Sequence, residues 1–178
     1  MRKVLFLFGI LDDRDIEWMI STGRVTTAPP GTVLIGQGRP LDSVFVVLDG
    51  VLSVRILQEG GGRELARLHA GEVVGEMSFV DSRPPSATVT ALENTRVLAI
   101  PRAELRRRLG DSGFAARFYH ALALFLADRL RATSAGYGVG EPQQPPVPDA
   151  VEIDPLILDR VSVAGMRFDH MLRRLSNR

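Results

Sequence analysis

The sequence predicts a mainly β, α+β protein: an antiparallel β domain preceded by one helix and followed by others. Three observations carry that prediction. Short β-branched runs recur between Arg24 and Ile100, Gly-bearing turns separate them about every ten residues, and beyond Pro101 the apolar spacing turns helical. At 178 residues the chain has room for one core-bearing domain and an appendage. We divide it into a β domain with its long helix at 1–134, a Pro/Gly-rich linker at 135–150 and an amphipathic helix at 151–178.

The opening "MRKVLFLFGIL" sets Arg2 and Lys3 before an apolar run, the outline of a signal peptide. The run is short, meets Asp12 and Asp13, and lacks a small-residue cleavage site, so the expectation is a cytoplasmic protein whose first residues pack on the core. Residues 12–22 read as a helix, with acids in the first turn suiting the dipole and Ile16, Met19 and Ile20 on one face. Six strand-like runs follow: "TVLI", "SVFVVL", "VLSVRIL", "ELARLH", "ATVTAL" and "RVLAI". Asp49-Gly50, between alternating apolar residues, predicts a hairpin with a type I′ turn. "EGGGR" predicts a looser hairpin; as a phosphate cradle it lacks the helix that should follow.

After Pro101, "RAELRRRL" and "GFAARFYHALALFLADRLRATS" both carry helical periodicity. In the second, Phe114, Phe118, Leu122, Phe125, Leu126 and Leu130 form a stripe that Ala121 and Leu124 widen. A helix apolar on two faces needs two partners, here the β domain and the same helix of a second copy, which predicts a homodimer through residues 114–132. The last helix begins at Pro155 and spaces Leu158, Val161, Gly165, Phe168, Leu172 and Leu175 in a heptad-like seam. Through residues 155–176 it either docks on a protein partner or folds back on its own domain.

Several functions are disfavoured. The formal charge of +1 and the pI near 8.3 lack the basic excess of a phosphate-backbone binder. A helix-turn-helix needs two helices at a short turn, and only a linker and one helix follow the long helix, so no direct DNA binding is expected. Without cysteine there are no disulfides, thiolate metal sites or cysteine nucleophiles. No segment reaches the roughly 20 apolar residues of a membrane span. His69, His120 and His170 lie in unrelated elements, with no nucleophile motif or metal-ligand spacing, so the chain does not read as an enzyme and no metal is expected. Arg106, Arg107 and Arg108 read as a solvated face.

The stretch "GEVVGEMSFVDSRPPSATVTA", Gly71 to Ala91, has the outline of an anion pocket. A short helix opening at Glu76, through Met77 and Ser78, offers unpaired backbone N–H groups with a favourable dipole. Gly75 allows close backbone approach, and Ser86 and Thr88 bring hydroxyls.

Together "PPGTVLIGQG", "DSVFVVLDGVLSV", "GEVVGEMSFVDSRPPSATVTALE" and "RVLAIPR" resemble, piece by piece, the cyclic-nucleotide-binding domain family, over about residues 12–134. The resemblance implies a double-stranded β-helix, a jelly-roll-like β-roll, and cAMP or cGMP as ligand. It implies that Glu76 accepts from the ribose 2′-OH and that backbone N–H groups about Ser86 and Ala87 hold the phosphate. At the base end, "RLRATS" resembles the family's long helix and nominates Thr133 and Ser134.

The departure is Pro85, nine residues after Glu76, where the family has an arginine paired with the phosphate. Such a charged hydrogen bond contributes about 1.5–3 kcal/mol, and proline removes a backbone donor as well. Arg83 could replace it on a redrawn turn, although a solvent-facing Arg83 is the expectation. Two readings follow: a stand-alone sensor of a small anionic or nucleotide-type ligand that signals through a protein partner, or a ligand-free pseudo-receptor serving as a homodimeric adaptor.

Overall fold

A computed structural model of the protein describes residues 7–58, 61–135 and 155–176. Helix α1 spans Asp13–Thr22, and β1 Arg24–Ala28, β2 Val33–Ile35, β3 Ser43–Asp49, β4 Leu52–Gln58, β5 Gly61–Leu68 and β6 Val73–Val74 follow it. Then come α2 (Glu76–Asp81), β7 (Thr88–Ala91), β8 (Thr95–Pro101), α3 (Arg102–Arg108), α4 (Ser112–Ala135) and α5 (Pro155–Ser176). The strands form two four-stranded antiparallel sheets, ordered β1-β8-β3-β6 and β2-β7-β4-β5. This is the β-roll expected from the sequence.

The first sheet divides two cores. Val44, Val46 and Leu48 of β3 and Leu98 and Ile100 of β8 face the helices, where they join Ile16, Met19, Phe114 and Phe118. Val47 and Val97 face the roll interior with Val54, Leu68, Val74 and Val89. A strand buried on both faces reads as a continuous apolar run, which is why "SVFVVL" shows no alternation. The second sheet has one wet face, so β7 alternates half-buried Thr88 and Thr90 with buried Val89 and Ala91.

Helix α1 starts with a capping box: the Asp12 carboxylate accepts from the Asp15 N–H at 3.0 Å and Asp15 returns the bond at 3.1 Å. Leu7, Phe8 and Leu11 are buried against it, so this part of the opening segment packs on the core.

The structure corrects three local expectations. Asp49-Gly50 closes no hairpin: β3 pairs with β6 and β8, β4 with β5 and β7, and the dipeptide is a corner between sheets. Only Gly50 of the two has positive φ, at 89°, and a Cβ there would sit 2.6 Å from Thr95 Oγ1. The strands β1 and β6 are not among the six strand-like runs, because the first is largely exposed and the second is two residues long. The seam of α5 is also turned: Ala164, Phe168, Met171 and Leu175 are buried, while Gly165 is exposed, with nothing within 4 Å of the point where a Cβ would stand. The helix lies against α1, with Phe8 and Phe168 edge to face at 5.1 Å and Arg167 donating to Asp13 at 2.6 Å and to the Phe8 carbonyl at 3.0 Å. That contact, invisible to a heptad count, sets which face turns inward. Val161 and Leu158 lie outside the residues whose side chains are described, and residues 136–150 of the linker lie outside the described residues altogether.

Helix α4 buries Phe114, Phe118, Ala121, Leu122 and Phe125 in its own molecule. Its exposed face includes Tyr119 and Leu130. No helix among the described residues is long and apolar enough to cross a membrane.

Candidate functional site

The nominated stretch forms a continuous cassette from β6 through α2 and a turn into β7. Strand β6 is held on β3 by pairing of Val74 with Phe45 and Val73 with Val46. The turn before it is closed by the Glu72 carboxylate, which accepts from the His69 N–H at 2.8 Å. Gly75 then takes φ 89°, ψ 0° as the N-cap of α2, with no side chain capping the helix. A Cβ on Gly75 would meet Leu41 Cδ2 at 2.8 Å and the Ser43 carbonyl at 3.3 Å, so the position excludes other residues twice, by backbone conformation and by space.

Alternate burial along α2 sorts the nominated residues. Glu76 and Ser78 are buried, with 2% and 5% of their surface accessible, whereas Met77 is exposed. Glu76 contributes to the wall of an apolar crevice formed with Val73, Phe118, Ala121, Leu122 and Phe125. Its space of about 20 Å³ has room for a water molecule and none for a nucleotide. The helix ends at Ser82, a non-glycine residue at φ 58°, which swings the chain into the turn.

Within the turn, Arg83 points to solvent with its side chain 85% accessible, 4.0 Å from Asp81, while its N–H donates to the same carboxylate at 3.0 Å. The solvent-facing expectation holds. Pro85 is buried, and its carbonyl accepts from the Gly38 N–H at 2.8 Å. Ser86 is exposed, Ala87 is half-buried against the roll interior, and half-buried Thr88 accepts from the Gln37 N–H at 3.2 Å through Oγ1. A hydroxyl has one proton to donate, and no described acceptor takes that of Thr88. Both ends of the cassette meet the β2–β3 loop, Gly75 at Leu41 and Pro85 and Thr88 at Gly38 and Gln37. Thr133 and Ser134 fall in the last turn of α4, and their side chains lie outside the described residues.

Three contributors had no role assigned from sequence. The side-chain amide of Gln37 accepts from the Leu57 N–H at 2.7 Å and donates to the Leu57 carbonyl at 3.3 Å, which ties the β2–β3 loop to β4. Arg102 donates to the Leu41 carbonyl at 2.8 Å and the Ser78 carbonyl at 2.6 Å, and its guanidinium lies 5.7 Å from the centre of the Phe79 ring. It clamps α2 to the same loop. Its position inside "RVLAIPR", just after the last strand, was the only sequence signal. The third is Asp15, wholly buried, which receives Arg117 at 2.7 and 3.1 Å and Arg108 at 3.5 Å. Burial alone would raise its pKa, but hydrogen bonds from Arg117 and the Asp12 N–H, with the charges of Arg117 and Arg108, outweigh burial and hold it below the ordinary carboxylate range. Phe79 also meets Phe118 edge to face at 6.1 Å, so α2 touches α4 directly. Among the described residues no cluster of three or more His, Asp or Glu side chains could hold a metal ion.

Comparison with known proteins matches residues 25–112 to the cyclic nucleotide-binding domain family. The Pycsar effector protein XpPycTIR of Xanthomonas perforans is 33% identical over 89 residues, 49% of this chain and 28% of that protein. The cyclic AMP receptor protein of Thermus thermophilus is 32% identical over 126 residues, 70% of this chain and 57% of that one. The chain thus spans less than two thirds of either relative. Among solved structures, the N-terminal domain of a transcriptional regulator from Streptomyces coelicolor superposes with a TM-score of 0.60 at 30% identity, covering 77% of this chain and 99% of that one. The Thermus thermophilus catabolite activator protein has a TM-score of 0.64 at 23% identity over 97% of this chain and 87% of that one, a likeness of fold.

Proposed function

The chain belongs to the cyclic nucleotide-binding domain family, and from that premise we propose that it is a regulatory domain that binds a cyclic nucleotide, cAMP or cGMP, at the cassette and signals through a protein partner. The observation that carries this reading is the cassette backbone. Gly75 keeps a conformation and a clearance that no side chain fits, and Pro85 and Thr88 are both pinned while Ser86 between them stays open to solvent.

In this reading Glu76 accepts from the ribose hydroxyl, and the N–H groups of Ser86 and Ala87 with the Thr88 hydroxyl hold the phosphate. The ligand supplies the negative charge; the chain supplies donors fixed before it arrives, which lowers the ordering cost of binding. Occupancy is transmitted where Phe79 of α2 meets Phe118 of α4, and from there to the surface that a partner reads. Titration calorimetry with cAMP and cGMP tests this. Binding is expected, weakened tenfold or more by Glu76→Ala; no heat and no thermal shift with either nucleotide would overturn it.

Buried Pro85 and outward Arg83 favour the second reading, a ligand-free homodimeric adaptor. Phe118 and Phe125 are committed to the chain's own core, so a dimer through α4 must use the face that carries Tyr119. Light scattering then shows a dimer that Tyr119→Glu dissociates, alongside silent calorimetry.

A further inference from the structure

We propose that Arg39, on the β2–β3 loop, supplies the cation that faces the phosphate of a cyclic nucleotide at this cassette, in place of a side chain at Pro85. The assignment rests on the cyclic-nucleotide reading above and names the specificity-determining residue it lacks.

The loop is stitched to the phosphate segment at the position of the missing cation and three residues beyond it. Gly38 donates its N–H to the Pro85 carbonyl at 2.8 Å, and Gln37 donates its N–H to Thr88 Oγ1 at 3.2 Å. Arg39 is the next residue, and neighbouring Cα atoms are about 3.8 Å apart, so its backbone lies one residue from the Gly38–Pro85 hydrogen bond. The loop is also fixed behind it. Arg39 N–H donates to the Gly36 carbonyl at 3.1 Å, Arg102 holds the Leu41 carbonyl, and the Gln37 amide grips both backbone groups of Leu57.

The arginines around the cassette differ in what already occupies them. Arg102 is spent on two carbonyls, Arg55 donates to the Gly62 carbonyl at 2.9 Å, and Arg83 is turned to solvent beside Asp81. Arg39 is exposed, and no described group forms a hydrogen bond or ion pair with its side chain. Its stem lies over Gly36, where a Cβ would come within 3.0 Å of Arg39 Cγ, so the absence of a side chain at residue 36 leaves it space. The nearest acid on the loop, Asp42, accepts from the Ser43 hydroxyl at 3.1 Å. A guanidinium with no described partner, on a fixed loop hydrogen-bonded to the pinned anion segment, has the chemistry of a phosphate contact. Pro85 then has a task of its own: its carbonyl anchors the loop that brings the charge.

The test is binding of cAMP and cGMP to the full chain by calorimetry, comparing wild type with Arg39→Gln, Arg39→Lys and Arg83→Gln. Arg39→Gln is expected to weaken binding about tenfold at low salt. The gap should narrow as salt rises, Arg39→Lys should recover most of the affinity, and Arg83→Gln should bind like wild type. The ligand-free thermal midpoint of Arg39→Gln should match wild type, since its side chain has no partner to lose. Equal affinity of wild type and Arg39→Gln would overturn the assignment and leave the cyclic-nucleotide reading standing, as would loss confined to Arg83→Gln. Absence of binding by wild type would remove both.

Discussion

Gly75 and Pro85 show how differently two residues of one cassette can be read. The demand on Gly75 is partly local, a left-handed backbone at the start of a helix, whereas the sequence marked the residue only for close backbone approach. The packing half of that demand comes from Leu41 and Ser43, distant in sequence, and needed the fold. Gly75→Ala is therefore expected to cost at least about 1 kcal/mol, because positive φ strains any Cβ before the contact with Leu41 is counted. A chemical-denaturation midpoint lowered at unchanged slope reports it; an unchanged midpoint would mean that the turn relaxes freely. Arg83 was read as facing solvent, and it does so, 4.0 Å from Asp81 two residues before it. The burial of Pro85 was not, since its partner is the backbone of Gly38 and backbone donors leave no trace in side-chain identity.

At the scale of elements, what could be read was what is periodic. Helix α1 announced its acidic first turn and its buried face, and the unbroken apolar run of β3 fits a strand covered on both faces. Corners and registers were not legible, because Asp-Gly suits a hairpin and an intersheet turn alike, and two-residue β6 has no period at all. The α5 seam failed for a related reason: a heptad count finds a stripe but not its rotation, and the rotation here is set by Phe8 and by Asp13 and Glu17 of α1. The two registers predict opposite outcomes for one substitution. Gly165 is exposed in mid-helix with open space around it, so Gly165→Ala should stabilise by about 0.5–1 kcal/mol through helix propensity. In the heptad seam the added methyl would instead crowd an interface. Phe168→Ala, which empties a buried site against Phe8, should cost about 3 kcal/mol. Thermal and urea unfolding of Gly165→Ala distinguish the registers, with Phe168→Ala as the buried-site reference, and a destabilised Gly165→Ala would reinstate the heptad face.

Across the whole molecule, the cassette and the N-terminal helix are joined through one chain of contacts. Phe79 of α2 meets Phe118 of α4, and one residue earlier on α4 Arg117 binds buried Asp15 of α1, which Arg108 of α3 also approaches. Helix α5 rests on the far side of α1 through Arg167 and His170. Asp15 is thus the junction of three helices, and its ionisation is linked to folding. Its carboxyl titrates lower in the folded chain than in the unfolded one, because the two guanidinium groups and the Asp12 N–H favour the anion more than burial opposes it. The stabilisation is therefore complete above the ordinary carboxylate range and is lost as pH falls below about 4 through the folded value. Asp15→Asn removes the charge but leaves Arg117 partly buried beside a neutral amide, so a loss on the order of 3 kcal/mol is expected at pH 7. The variant should also lose less stability than wild type on acidification from about pH 5 to about pH 3. Some slope will remain, since Asp111, whose carboxyl is held down by the N–H groups of Phe114 and Gly113 and by nearby arginines, titrates in the same direction. Urea midpoints of both proteins at the two pH values measure the difference, and parallel lines would show that Asp15 does not carry the acid sensitivity of the fold.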